Sequence, residues 1–222
     1  FTVPLCQNMK ILHLPAITPI HEMITQLEKH QPTHLIGYTS EIYRLAQEAN
    51  RGKLNISPQR VSVNSEPLYP EMLELILKVW EAPVTNMWGS SDVGPHAQSC
   101  DRTHNLHLNE DMLIFEATDA QYIPVNDGIR AEKVLITNLF RKSMPLFRYE
   151  IDDCVTLLKD ICTCGSAFKL VQSIQGRNDD AFVYENGVCI IPEVFENIIF
   201  PQTHVDEYQI LQTEDGALVR LV

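Results

Sequence analysis

Residues 60–88 read RVSVNSEPLYPEMLELILKVWEAPVTNMW. Two short apolar runs, Arg60 to Asn64 and Pro83 to Trp88, flank a segment that Pro70 opens, and proline favours the first helical position because its missing N–H would be unpaired there anyway. In that segment Glu71, Glu74, Lys78 and Glu81 form the only polar stripe, so Leu73, Ile76, Leu77 and Trp80 need cover, which a sheet supplies. Strand, helix, strand in this order predicts parallel strands joined by a right-handed crossover.

The same alternation extends toward the N-terminus. Thr18-Pro19 predicts a capped helix start, Ile20, Met23, Ile24 and Leu27 recur at helical spacing, and Pro32 ends the run. His34 to Tyr38 reads as a strand, and Ser40 as the cap of a helix whose buried stripe is Ile42, Leu45, Ala46 and Ala49, until Gly52 stops it. Toward the C-terminus the period changes at about residue 107. Asp111 to Asp119, Glu132 to Asn138, Leu146 to Ile151, Val155 to Lys159 and Ala167 to Gln172 read as strands, with an Asn126-Asp127-Gly128 turn among them. Gly176-Arg177-Asn178-Asp179-Asp180 reads as a polar break, followed by strands near Phe182 and Cys189 and a helix from Pro192-Glu193. The expected class is α/β: a parallel sheet with flanking helices over 1–106, an antiparallel β subdomain over 107–175, and a hinge with the start of a small α+β C-terminal domain over 176–222.

Composition narrows the function. The 222 residues are 45% apolar, enough for a core, and 17 Lys and Arg against 29 Asp and Glu give a net charge of -12. Such a surface repels phosphate backbones and anionic lipid, so neither nucleic acid nor membrane is an expected partner, and no apolar run reaches the roughly 20 residues that span a bilayer. A cytoplasmic address follows as the expectation. The sequence starts at Phe1 without an initiator Met and reads as a fragment or excised domain. The six cysteines are expected to be reduced, with Cys6, Cys154 and Cys189 in apolar runs as core residues. His13, His21, His30, His34, His96 and His204 receive no role.

In an open parallel sheet, ligands gather beyond the carboxyl ends of the strands. The loops there are Gly37-Tyr38-Thr39-Ser40, Asn64-Ser65-Glu66-Pro67 and Trp88-Gly89-Ser90-Ser91-Asp92-Val93-Gly94. The third sets a ring for stacking, hydroxyls for phosphate and a carboxylate for Mg²⁺ side by side, which suits a nucleotide; the competing reading is ordinary turn residues beside a core Trp.

Six motifs in order, Gly37 to Ser40, Ser65-Glu66-Pro67-Leu68, Asn86 to Asp92, Pro145 to Tyr149 leading to Asp153, Cys162-Thr163-Cys164-Gly165 and Gly176 to Asp180, resemble those of the adenylate-forming enzymes. The likeness is to the phenylacetate–CoA ligase and CapK-like branch, from about residue 16 to residue 200. The resemblance implies an ATP-dependent ligase that joins a carboxylate to AMP and then transfers it to a thiol, with coenzyme A as acceptor. It implies Trp88 against adenine, Asp92 at Mg²⁺, Asp153 on the ribose hydroxyls, Arg177 at ribose and phosphate, Ser65-Glu66 beside adenine and the acyl pocket, and Asp179 as the hinge. Asp92 stands where the family has Glu and Asp152 where it has Gly. The family's phosphate-wrapping loop is expected before residue 1 and its catalytic Lys beyond Val222, so this stretch alone is expected to turn over little. A small carboxylate and a nucleotide are the expected partners, and a homodimer is left open.

Cys162-x-Cys164 with Cys100 and His107 supplies three thiolates and an imidazole, the donor set of a closed structural zinc site, and all four match family positions; His104 is the competing imidazole, and unligated thiols are the alternative. The rival to the whole reading is a non-catalytic, zinc-stabilised α/β binding module or degenerate ligase.

Overall fold

Helix and strand alternate through the N-terminal part: α1 (Ile20–His30), β1 (His34–Tyr38), α2 (Thr39–Asn50), β2 (Arg60–Asn64), α3 (Pro70–Trp80) and β3 (Val84–Ser90). The computed structural model describes residues 10–177, 181–185, 187–190, 192–199, 205 and 208–221, and the chain divides into two units, Phe1–Trp88 and Gly89–Val222.

In the first unit β1 and β2 run parallel from His34↔Arg60 to Tyr38↔Asn64, and β2 and β3 from Val61↔Val84 to Asn64↔Met87. The helices cover the strands: Leu35, Val61, Val63 and Val84 are buried with Met23, Leu27, Ile42, Leu45, Ala46, Ile76 and Trp80. Burying an aliphatic side chain of this size contributes about 1.5–3 kcal/mol, so this cluster outweighs any local propensity. α3 begins at Pro70 and buries Met72, Ile76 and Trp80, with Leu73 and Leu77 half-buried, as its single polar stripe requires. Two expected caps are corrected. α1 is entered through Pro19 with no side-chain cap, and α2 starts at Thr39, one residue ahead of Ser40, with Tyr38 at the cap position.

The second unit holds β4 (Gly94–Ser99), β5 (Leu106–Leu108), β6 (Leu113–Thr118), β7 (Lys133–Asn138), β8 (Tyr149–Ile151), β9 (Asp153–Leu157) and β10 (Leu170–Arg177). After these come β11 (Phe182–Val183), β12 (Cys189–Ile190), α4 (Pro192–Ile199), β13 (Tyr208–Gln212) and β14 (Ala217–Leu221). β4, β5, β10 and β9 are neighbours in that order, all antiparallel, and β6, β7 and β8 form a separate antiparallel sheet. Leu108, Leu113, Val134, Ile136, Val155, Leu170 and Val171 make its apolar interior.

The structure departs from the sequence reading in several places, among them β5, β13 and β14, which have no counterpart among the expected strands. β3 runs on through Gly89 and Ser90, so these are strand residues and the turn is confined to Ser91-Asp92-Val93. β4 has no counterpart among the expected strands, because Gly-Pro-His-Ala-Gln-Ser has no strand propensity and owes its pairing to β5. Gly176 and Arg177 end β10 instead of breaking the chain, whereas Asn178, Asp179 and Asp180 lie outside the described residues, as does Cys6. Cys189 is exposed, not core, because β12 belongs to a two-stranded ribbon, while Cys154 is buried as expected.

Candidate functional site

The expected nucleotide-binding residues fall in both units, and each set has its own geometry. In the first unit the parallel register brings the ends of β1 and β2 side by side, so their loops meet. The Ser40 N–H donates to Glu66 Oε2 at 2.7 Å, and the Thr39 hydroxyl donates to the Glu66 carbonyl at 3.0 Å. A carboxylate thus closes the N-terminus of α2, where unpaired N–H groups and the helix dipole favour negative charge. Ser65 turns the chain with φ +67, and its hydroxyl donates to Asn64 Oδ1 at 2.9 Å. Trp88 lies in β3, two residues before its end, and is buried.

In the second unit the turn after β3 is tightly defined. A Cβ on Gly89 would stand 2.7 Å from the Gly94 carbonyl oxygen and 3.1 Å from Pro95 Cα, backbone that cannot step aside. Ser90 Oγ accepts from the Val93 N–H at 3.2 Å. Asn138 Nδ2 donates to the Val93 carbonyl at 2.6 Å, and Arg141 Nη1 donates to the carbonyls of Ser91 at 3.2 Å and of Asp92. The Tyr149 hydroxyl donates to Asp92 Oδ2 at 2.9 Å, and that carboxylate raises the Tyr149 pKa. Asp153 opens β9, half-buried, and its backbone is the register partner of Arg177 at the end of β10, beyond an irregularity in the ladder, so the two residues expected at the ribose sit on adjacent strand ends.

Cys100, His107, Cys162 and Cys164 come together, their ligand atoms all within 4.8 Å of one another. Cys100 follows β4, His107 lies in β5, and the C-x-C turn precedes β10, so the β4-β5-β10 pairing builds the cluster. His107 Nε2 lies 3.5 Å from Cys164 Sγ, while Nδ1 lies 3.4 Å from the Phe168 carbonyl oxygen. That carbonyl can accept only from a protonated Nδ1, leaving the Nε2 lone pair to face the sulfurs. Backbone N–H groups of Arg102 and Ser166 each donate to a sulfur at 3.4 Å, on Cys100 and Cys164. The Arg102 N–H pulls the Cys100 thiol down to about 6, and the Thr103 hydroxyl, 3.3 Å from Cys162 Sγ, lowers Cys162. Burial lowers His107, but hydrogen bonds with Cys100 and Cys162 outweigh it and raise the imidazole. The donor set, the oriented imidazole and the N–H···S bonds all fit zinc, and the imidazole in the cluster is that of His107, not His104.

Sequence reasoning missed Arg141, Asn138 and the contact made by Tyr149. Tyr149 lay within a recognised motif but carried no role, and nothing in the residues around Arg141 marks it as a clamp. Among the described residues no helix is long and apolar enough to cross a membrane.

The chain is 28% identical over 204 residues to protein CapK of Staphylococcus aureus, covering 90% of this chain and 44% of that protein. It is 27% identical over 177 residues to phenylacetate-coenzyme A ligase of Thermus thermophilus, covering 75% of this chain and 39% of the ligase. Among solved structures it matches 2-hydroxyisobutyryl-CoA ligase in the postadenylation state in complex with 2-HIB-AMP, with a TM-score of 0.78 at 22% identity over 90% of this chain and 45% of that one. The same ligase in complex with 2-HIB-AMP and CoA matches with a TM-score of 0.65. No family model matches. The chain is thus similar in sequence to CapK and to a phenylacetate-coenzyme A ligase, and it shares the fold of 2-hydroxyisobutyryl-CoA ligase. It spans less than half the length of the curated relatives it matches.

Proposed function

We propose that this chain is part of an ATP-dependent acid–thiol ligase, which joins a small carboxylic acid to AMP with release of pyrophosphate and then passes the acyl group to coenzyme A. The observation that carries the reading is the pairing of Asp153 with Arg177 at the ends of β9 and β10, in a fold shared with a ligase solved in complex with 2-HIB-AMP. A carboxylate accepts from two hydroxyls at once, so Asp153 holds the ribose diol, and the Arg177 cation serves the ribose and phosphate region. Trp88 supplies the ring for adenine, and Ser65 and Glu66 border adenine and the acyl pocket, with Glu66 acting through its backbone because its carboxylate caps α2. Gly89, Ser90 and Ser91 let the nucleotide approach the backbone. Asp92, exposed on its turn, is a hard oxygen donor that fits Mg²⁺, which neutralises phosphate charge when bound. Such chemistry depends on positioning and charge stabilisation, which is the work these residues do.

Cys100, His107, Cys162 and Cys164 hold a structural zinc ion, since four protein ligands leave no open position for catalysis. Reduced thiols in that role fit a cytoplasmic protein.

The test is ATP-dependent pyrophosphate release by the whole gene product over a panel of carboxylic acids with coenzyme A. Asp153→Ala is expected to raise the KM for ATP and to lower kcat/KM at least about tenfold, the effect of losing a hydrogen-bonded charge at a binding site. Unchanged turnover in Asp153→Ala would overturn the ribose assignment, and no acid-dependent pyrophosphate release with any acid would overturn the ligase reading.

A further inference from the structure

An aspartate on an exposed turn ordinarily samples several rotamers. Asp92 does not have that freedom, because it is held from two directions inside one unit. Its backbone is gripped by Arg141, which donates to the Ser91 and Asp92 carbonyls, and by Asn138 through the Val93 carbonyl. Its carboxylate is gripped by the Tyr149 hydroxyl, 2.9 Å from Oδ2.

The delivery of Tyr149 is itself specific. Arg148 adopts φ +48, a left-handed conformation uncommon for a residue with a Cβ. Its N–H donates to Thr137 Oγ1 at 2.9 Å and its Nε to Glu116 Oε2 at 3.2 Å, so β6 and β7 hold the turn, and Tyr149 then enters β8 opposite Ile136. Packing does not account for this, since Tyr149 stays 36% exposed and Arg148 and Asp92 are exposed. What the arrangement achieves is the fixed direction of one carboxylate.

We propose that Tyr149 is a positioning residue for Asp92: its hydroxyl holds Oδ2 and so presents Oδ1 to a divalent cation carried by the nucleotide. The proposal rests on the reading of Asp92 as the carboxylate at that cation. An aspartate side chain is short and has little reach to search for the ion, and a hydroxyl in the second sphere sets its aim, as outer partners of metal ligands do.

The test uses the whole gene product and two readouts: binding of Mn²⁺–ATP followed by water-proton relaxation, and the Mg²⁺ concentration that half-saturates pyrophosphate release. Tyr149→Phe is expected to weaken Mn²⁺–ATP about tenfold and to raise the half-saturating Mg²⁺ by a similar factor, with kcat recovered at high Mg²⁺. Tyr149→Leu gives the same shift if the hydroxyl and not the ring is what counts. Asp92→Asn loses at least as much, and adding Tyr149→Phe to it costs nothing further, because the hydroxyl acts through the carboxylate. Wild-type Mn²⁺–ATP binding in Tyr149→Phe, with weakened binding in Asp92→Asn, overturns the positioning role. Independent, additive losses overturn it too. Wild-type binding in Asp92→Asn overturns the underlying assignment of Asp92.

Discussion

His96 is fully buried in β4, and burial pushes its pKa down to about 4, so the imidazole is neutral in the folded protein at pH 7. An unfolded histidine titrates near 6.5. The folded value being the lower one, the neutral ring contributes stability that is complete above pH 6.5 and is lost as pH falls toward 4. Over that window the loss is about 3 kcal/mol, from roughly 1.4 kcal/mol per pKa unit. Urea unfolding at pH 7 and pH 4.5 measures it: the drop in stability is expected to be smaller in His96→Gln, which cannot titrate, than in the wild type. Gly89 makes a second residue-scale prediction. Any Cβ there runs into the Gly94 carbonyl and Pro95 Cα, so Gly89→Ala is expected to destabilise by about 1–3 kcal/mol, read from the shift of the urea midpoint. Neither effect is legible from the sequence. His96 is one of the histidines to which the sequence assigns no role, and the crowding at Gly89 exists only once Gly94 and Pro95 fold back over it.

At the scale of elements, α2 shows how a loop far along the chain finishes a helix. Ser40 carries a capping side chain, yet the helix begins at Thr39 and the acceptor for the Ser40 N–H is the Glu66 carboxylate from the loop after β2. Glu66→Ala removes that acceptor and a negative charge from the positive end of the helix. It is expected to cost about 0.5–1 kcal/mol, whereas Ser40→Ala, which keeps its backbone N–H on Glu66, changes the thermal midpoint little. The parallel strands and α3 were legible because each is a strong periodic signal: continuous apolar strands, a proline start and a single polar stripe. β4 and the extension of β10 through Gly176-Arg177 were not, because Gly, Pro, His and Gln at those positions owe their conformation to the strands beside them.

Across the whole molecule, the Cys100–His107–Cys162–Cys164 cluster joins residues distant in sequence within the second unit. A metal that binds only the folded arrangement stabilises it by mass action. Chelation of the purified protein is therefore expected to lower its thermal midpoint by about 5–10 °C, and elemental analysis to give one zinc per chain, falling in Cys164→Ser. A midpoint insensitive to chelator would defeat the zinc assignment. The sequence by itself determined the class of fold, the parallel alternation of strands and helices, and the three cysteines and histidine offered as one donor set, because these rest on hydrophobic period and residue chemistry that act locally. Only the tertiary structure decided that His107 and not His104 completes the cluster, that Asp153 stands opposite Arg177, and that Tyr149 holds Asp92. Those are meetings between residues far apart along the chain, and they are set by strand pairing and register, which no local pattern encodes.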